Sequence, residues 1–393
     1  MRFSRQDSAA SCGGGTTRVF SCAMLTSTIG LTVALLCLQA PANFLSFQGD
    51  VRLQDSPRQP PAQDTAPLQA QAEAGGAAAQ LKLARAYESG LGVPQDDGMA
   101  ARWYRKAAEQ GNSEAQDALG TKYLLGQGLE KNKEESVNWF GRSARAGNAN
   151  AMYHLGVAYY NGDGVPINDS LSYAWFRLAK EAGSPTAVGA VQKAESELKP
   201  GTITDGLEKI AEMYEKGGSL QENQTEAARW WSMAAAKGDH DAQVALAFKQ
   251  MNGRGIPQDL VQARHLCTEA AKDDNARAEY CMGYLCQHGL GVNQDAKKAR
   301  NWYALAAEKG ETQAIKALAL MEAVGEGGKI DRVNAFLLDA KLARADDLDA
   351  LHTLAKLRKE LTPAEWQQLQ KPLLQMRIDP SKLDRVFQQI ANP

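Results

Sequence analysis

Residues 90–112 read GLGVPQDDGMAARWYRKAAEQGN. They hold no obvious catalytic group, yet the chain writes them repeatedly. GDGVPINDSLSYAWFRLAKEAGS starts at 162, GRGIPQDLVQARHLCTEAAKDDN at 253 and GLGVNQDAKKARNWYALAAEKGE at 289. The paired glycine sets the phase. Gly90-x-Gly92, Gly126-x-Gly128 and Gly162-x-Gly164 stand 36 residues apart, and Gly217-Gly218 restarts the count after an insertion. Gly253-x-Gly255, Gly289-x-Gly291 and Gly325-x-Gly327 continue at 36. Self-similarity at this period is the mark of a solenoid.

Other positions keep the same phase, counted from the first glycine of each pair. Position −7 holds Leu83, Leu119, Leu155, Ile210, Leu246, Met282 and Leu318, each followed by Gly or Ala. Position −3 holds Tyr87, Tyr123, Tyr159 and Tyr214; position +13 holds Trp103, Trp139, Trp175, Trp230, Leu266, Trp302 and Leu338. Each unit therefore predicts two short antiparallel helices. The first carries its apolar positions on one face. The glycine pair ends it, because glycine tolerates the left-handed exit. Asp96, Asn132, Asn168, Asn223, Asp259, Asp295 and Asp331 recur at +6, where an N-cap is needed for the second helix. Helices this short are marginal alone, so the units must stack to bury their faces.

The pattern L-G-x-x-Y, G-x-G-V, the Asp/Asn cap and W-[YF]-x-x-A-A-x-x-G resembles the Sel-one-like repeat (SLR) family, a relative of the tetratricopeptide repeat, over about residues 77–345. Units five and seven depart from it: Gln250 and Glu322 replace the Tyr, and Leu266 and Leu338 replace the Trp. The expected fold class is all-α, an α-solenoid of about seven 36-residue repeats. Leu198-x-Pro200 and Leu361-x-Pro363 lie 163 residues apart, the offset of Gly162 and Gly325. Each predicts an extended helix closed by a proline turn. Two sub-arrays follow: units 1–3 with their terminator helix over 77–205, with a bend or hinge near 198–206, and units 4–7 over 206–345. Thr362, Pro363 and Glu365 spell a capping box opening a further helix, and residues 346–393 form a C-terminal helical cap.

The N-terminus is different in kind. Arg2, Arg5 and Arg18 precede an apolar run from Val19 to Leu38, with no acidic residue until Asp50 apart from Asp7 in the leading segment. Two readings stay open for residues 1–42: a signal peptide cleaved after Ala42, or a signal anchor holding the chain in the inner membrane through residues 19–40. Either places the bulk of the chain in the periplasm, with secretion a further option. Residues 43–76, rich in Gln, Pro and Ala, are expected to be a disordered linker. Charge is balanced, with 44 basic and 46 acidic residues, and the cations form no stripe; nucleic acid is not an expected partner.

No G-x-S-x-G elbow, phosphate loop, dinucleotide fingerprint or H-E-x-x-H occurs. One cluster draws notice: His265, Cys267, Cys281, Cys286 and His288. Three readings of it stay open. The thiols are buried and free; Cys267 and Cys281 form a disulfide across adjacent helices in an oxidising compartment; or the set binds zinc. Family members discussed as β-lactamases carry a cysteine pair in each unit. Here those positions fall near Ala271 and Glu279, so that likeness fails. No cofactor and no enzymatic activity is expected. The sequons at Asn168 and Asn223 sit in the cap slot, which explains them without glycans.

Binding is expected along the groove of first helices, which stacked arrays present on their concave side. Positions −8, −5 and −1 share a helical stripe and vary between units: Lys82/Arg85/Ser89, Ala118/Thr121/Leu125, His154/Val157/Asn161, Lys209/Glu212/Lys216, Ala245/Phe248/Asn252 and Cys281/Tyr284/His288. Ordinary solvated surface is one reading. The other is a site for a peptide or partner protein with Arg85, His154, Phe248, Tyr284 and His288 as contacts, the two aromatics as anchors. The expected function is a non-catalytic interaction scaffold in the cell envelope. The alternatives are a periplasmic hydrolase acting on cell wall or β-lactams, and a secreted host-interaction factor.

Overall fold

The structure is a computed structural model that describes residues 65–342 and 348–391. The basic and apolar stretch of residues 1–42, with its expected signal or anchor, lies outside them, as does the linker up to residue 64. Among the described residues no helix is long and apolar enough to cross a membrane. All their regular structure is helical.

Helix α1 (Ala66–Glu73) comes first, followed by hairpins α2 (Ala77–Ser89)/α3 (Asp97–Glu109), α4 (Ser113–Leu125)/α5 (Lys133–Arg145) and α6 (Ala149–Asn161)/α7 (Asp169–Glu181), then α8 (Pro185–Glu197). The hairpins resume with α9 (Pro200–Lys216)/α10 (Gln224–Ala235), α11 (His240–Asn252)/α12 (Leu260–Ala271), α13 (Ala276–His288)/α14 (Ala296–Glu308) and α15 (Thr312–Val324)/α16 (Arg332–Leu342). The tail adds α17 (Leu348–Glu360), α18 (Pro363–Gln375) and α19 (Pro380–Ala391). The chain divides into two compact units between Val191 and Gln192, inside α8.

Two details differ from the sequence reading. The stretch expected to remain a linker to residue 76 already forms α1. Thr65 precedes it, Pro67 sits in its first turn, Ala72 is buried and Leu68 packs on the first core cluster. Its Ala and Gln residues have good helix propensity, and contact with α2 supplies what its short length lacks. The insertion, expected as an extended helix closed by a proline turn, does end before Pro200, but α8 is an ordinary 13-residue helix. That proline opens α9, which at 17 residues is longer than the 13-residue first helices of the other units. Proline suits a first helical position, where its missing N–H has no partner to lose.

One backbone hydrogen bond recurs in every hairpin. The amide of the +6 cap residue donates to the carbonyl of the −3 residue: Asp96 to Tyr87, Asn132 to Tyr123, Asn168 to Tyr159 and Asn223 to Tyr214, each at 2.9 Å. The bond persists where the tyrosine is replaced, from Asp259 to Gln250 (3.1 Å), Asp295 to Cys286 (2.9 Å) and Asp331 to Glu322 (2.9 Å). It satisfies a carbonyl that the end of the first helix leaves open. The cap side chain then accepts from the second helix, as Asn168 does from the Leu171 amide at 2.8 Å. The first glycine makes the reversal possible: Gly162 has φ 77°, a left-handed value that a side chain would strain.

The second glycine does something else. A Cβ on Gly128 would meet the Asp97 carbonyl oxygen at 2.0 Å, on Gly164 that of Lys133 at 2.3 Å and on Gly255 that of Gln224 at 2.0 Å. Gly291 against Leu260 (2.6 Å) and Gly327 against Ala296 (2.3 Å) repeat the contact. Each turn thus seats its bare backbone on the first turn of the preceding unit's second helix. A third small residue works inside the hairpin: a Cβ on Gly120, Gly156 or Gly283 would strike the ring of Phe140, Phe176 or Tyr303 at 2.7, 2.5 and 2.6 Å. These +14 aromatics are fully buried, and Trp103, Trp139, Trp175 and Trp230 at +13 are buried beside them. Burying such a ring contributes about 1.5–3 kcal/mol, which is where marginal helices gain their stability.

Among the buried polar groups, two lysines occupy matching places. Lys122, its side chain 3% exposed, meets Glu88 at 2.8 Å and Asp97 at 2.9 Å. Lys249, 4% exposed, meets Glu215 at 2.9 Å and the Gln224 side chain at 3.2 Å. Burial would push the Lys122 ammonium down, but the bonds from Glu88 and Asp97 outweigh it and raise its pKa. The tail closes on α16, where Phe336 meets Trp366 edge-on at 5.7 Å and Phe387 at 6.5 Å. Thr362 and Glu365 form the expected capping box at α18.

Unit seven places Asp339 in the +14 aromatic slot. Burial raises its carboxyl from 3.8 to about 6, against a lowering by Lys316. The folded chain therefore holds this proton up to about pH 6, whereas the unfolded chain releases it near pH 4. The proton-linked stability is complete below the unfolded value and is lost as pH rises through the folded one. Chemical denaturation at both pH values should show that Asp339→Asn removes about 1–2 kcal/mol of the fall seen in the wild type between them, the remainder including the contribution of other raised carboxyls. A second pair of variants separates the roles of glycine. Gly164→Ala should destabilise by about 2 kcal/mol or more, since its methyl would overlap the Lys133 carbonyl. Gly141→Ala, in α5 with nothing within 4 Å, should stabilise by about 0.5–1 kcal/mol.

Candidate partner-binding faces

The −8, −5 and −1 stripe is fixed by the hairpin register, since the −7 residue beside it points into the core. In the first compact unit the stripe is mixed, with exposed Leu125 among polar residues. Arg85, exposed, pairs with Glu114 at 2.6 Å. His154 Nδ1 lies 2.8 Å from an Asp117 carboxylate oxygen, with its ring 4.8 Å from that of Phe140. Arg85, Glu114 and Asp117 line one open cleft of about 760 Å³, whose far wall includes the first turn of α6 and the start of α8. Arg85 and His154 thus reach one acidic edge through neighbouring carboxylates. Not all the stripe is surface: Val157 is buried.

In the second compact unit the stripe turns aromatic. Phe248 on α11 and Tyr284 on α13 meet edge-on, with centroids 5.7 Å apart. Tyr284 stacks against His288 at 4.3 Å. Tyr280 joins both, 5.9 Å from Phe248 and 6.4 Å from Tyr284, and also touches the buried ring of Tyr303 at 5.6 Å. The strip is therefore anchored on the core while Phe248, Tyr280 and Tyr284 remain half-buried and His288 exposed. Tyr280 sits at −9, one place off the varying stripe, so spacing alone did not single it out. The same register in unit seven holds Leu320 and Val324, 62% and 60% exposed. In unit four it holds Lys209, Glu212 and Lys216, which pair with one another.

Cys281 occupies the stripe in unit six but is fully buried. It is joined to Cys267 of α12 in a disulfide with a Cα–Cα distance of 5.9 Å. Both sulfurs are thereby spent, and zinc cannot draw on them; among the described residues no group of three His, Cys, Asp or Glu stands ready to hold a metal ion. His265 is exposed on α12, and Cys286 is a buried free thiol. A different carboxyl is perturbed: Glu208 on α9 is raised to about 8 by burial and then by Asp239 and its neighbours Asp241 and Asp205. Asp239 is at the same time the N-cap of α11, accepting the Ala242 amide at 2.9 Å, so half of this acid pair serves the backbone.

The Sel1 repeat profile matches residues 77–112, 113–148, 149–184, 204–239, 240–275 and 276–311. The α15/α16 hairpin continues the spacing beyond the last match. Among solved structures, the chain is similar to a protective antigen present in uropathogenic Escherichia coli strains that displays an SLR fold. The identity is 28% and the TM-score 0.39, over 82% of this chain and 70% of that one. It is similar to a Sel1 repeat protein from Oxalobacter formigenes at 30% identity and TM-score 0.27, covering 59% and 85% of the two chains. A sel1 repeat protein from Klebsiella pneumoniae subsp. pneumoniae matches at 19% identity and TM-score 0.22, covering 56% and 98%. No curated protein matches the chain.

The disulfide ties the second helix of unit five to the first helix of unit six, and so holds Tyr284 in place beside Phe248. Closing so short a loop is worth about 3 kcal/mol. Reduction should lower the unfolding free energy of the wild type by about 2–3 kcal/mol and leave a Cys267→Ala/Cys281→Ala variant unchanged. Non-reducing peptide mapping should recover the Cys267–Cys281 link, with Cys286 alkylated only after unfolding.

Proposed function

The chain belongs to the Sel1 repeat family, and we propose that it is a non-catalytic scaffold that grips a peptide or partner protein along its first-helix face. Sel1 repeat proteins generally act as protein-interaction scaffolds. The observation that carries the proposal is the strip of Phe248, Tyr280, Tyr284 and His288. Its rings pack edge-on or tilted against one another at 4.3–6.4 Å yet keep part of their surface in water. Aromatic side chains held rigid by their neighbours lose little entropy on binding and make strong anchors. Leu320 and Val324 extend apolar character to the next unit, and the paired charges of Lys209, Glu212 and Lys216 bound it on the other side. Arg85 and His154 offer a second, polar contact region in the first compact unit.

We further propose that this scaffold works outside the cytoplasm. The basic and apolar pattern of residues 1–42 supports export, and a buried disulfide suits an oxidising compartment. The test is crosslinking pull-down of wild type against Phe248→Ala/Tyr284→Ala. Partner recovery should fall by about tenfold or more while far-UV circular dichroism is unchanged. Equal recovery by both proteins would remove these rings from the binding face.

A further inference from the structure

The −3 position carries the inference. Its backbone is fixed in every unit by the cap-to-carbonyl bond, so the units differ there only in side chain. Four units fill it with tyrosine. Tyr87 and Tyr123 join the core cluster that holds Trp103 and Trp139, and both tryptophans are buried. Unit six keeps its tryptophan, Trp302, but has Cys286 at −3. There Trp302 is only half-buried, and an open cleft of about 700 Å³ remains. Its walls include Trp302, Met282, Val292 and Cys286, and its charged groups are Arg264 and Lys298.

The next unit shows what those charged positions do. Unit seven has Glu322 at −3. Its carboxylate takes Arg300 Nη2 at 3.2 Å and Asn334 Nδ2 at 2.5 Å. Arg300 stands at +11 of the preceding unit, and Asn334 at +9 of the same unit. Arg264 and Lys298 occupy those same two register positions around Cys286. At the remaining consecutive junctions the pairs are Ala101/Glu135, Val137/Leu171 and Ala228/Gln262, none of them a cation pair. Cys286 is too short to reach them and, with burial raising its thiol pKa, brings no charge. Arg264 meanwhile donates to the Gly291 carbonyl at 3.3 Å, and Lys298 lies 3.3 Å from the cap carboxylate of Asp295. Both contacts are long and leave donors over, since a guanidinium carries five N–H groups and an ammonium three.

We propose that the cleft beside Cys286 is a binding site for a small aromatic carboxylate. The ligand's carboxylate lies between Arg264 and Lys298, where Glu322 lies against Arg300 and Asn334 one unit later. Its ring lies on Trp302, in the space that a tyrosine fills in four other units. The cleft volume is within the range of small-molecule sites, and a guanidinium can take a carboxylate with two parallel bonds. This site is separate from the Phe248–Tyr284 strip and stands or falls without it.

The probe is 4-hydroxyphenylacetate, added to full-length chain labelled with 5-fluorotryptophan. The Trp302 fluorine resonance is assigned by its loss in Trp302→Phe. A saturable shift of that resonance alone is expected, with Kd on the order of 1 mM or tighter. The neutral 4-hydroxyphenylacetamide should bind at least about tenfold more weakly. Cys286→Glu copies unit seven into unit six; it should keep or raise the unfolding midpoint and abolish the shift. Arg264→Gln/Lys298→Gln changes two exposed side chains and should weaken binding about tenfold or more even if Cys286→Glu fails to fold. The proposal is overturned if the Trp302 resonance shows no saturable shift, if acid and amide bind equally, or if the double glutamine variant binds like wild type.

Discussion

A hydrogen bond between the capping amide and the carbonyl three residues before the glycine pair governs this structure. It joins the end of one helix to the start of the next, and it forms in all seven hairpins whatever the side chains nearby. With the reversal fixed, the second glycine arrives over the backbone of the preceding unit at Gly128, Gly164, Gly255, Gly291 and Gly327, while Gly218, next to its partner glycine rather than one residue on, has open space around it. At those five turns it must be bare, because a methyl group there would overlap a carbonyl oxygen. Turn geometry and stacking are therefore set by one short segment. The conserved spacing within the chain follows from two separate steric demands rather than from one flexible loop.

A rigid backbone frees the side-chain slots to diverge. Position −3 hosts Tyr, Gln, Cys or Glu, and +14 hosts Tyr, Phe, Trp, Cys or Asp, without shifting the frame. Each departure leaves a physical residue: a carboxyl held above its usual range at Asp339, a disulfide at Cys267, a cleft at Cys286. The most individual chemistry of the molecule lies in units five to seven, where the repeat pattern is least well kept. In unit four Glu208 is held well above its usual range by burial and by Asp239, which itself caps α11.

The hairpins, caps and their phase were legible in the sequence because each depends on residues close along the chain. Asp and Asn at +6 cap as expected, and the Trp and Leu rows at +13 and −7 face inward, with Met282, Leu266 and Trp302 only half-buried. What escaped depends on neighbours far along the chain. Lys122 reads as a surface lysine until Glu88 and Asp97 are brought around it. Cys281 shares a stripe with exposed residues, yet turns inward to reach α12. Tyr280 falls one position off that stripe and still completes the aromatic strip. Helix α1 was missed because its Ala- and Gln-rich composition matches linkers as well as helices, and only packing against α2 separates the two.

Tandem repeats have a generic weakness: a unit can dock on the wrong neighbour, since all neighbours look alike. Lys122 and Lys249 guard against it. Each lies on the second unit of its array, and the matching glutamate, Glu88 or Glu215, stands at −2 of the first. At −2 the other units carry Leu124, Tyr160, Met251, Gln287 and Ala323. A chain slipped by one repeat would exchange the glutamate beside a buried ammonium for one of these uncharged side chains, a costlier change than a mismatched alkyl contact. Two lysines thus give an otherwise periodic molecule a defined beginning, and they do so twice.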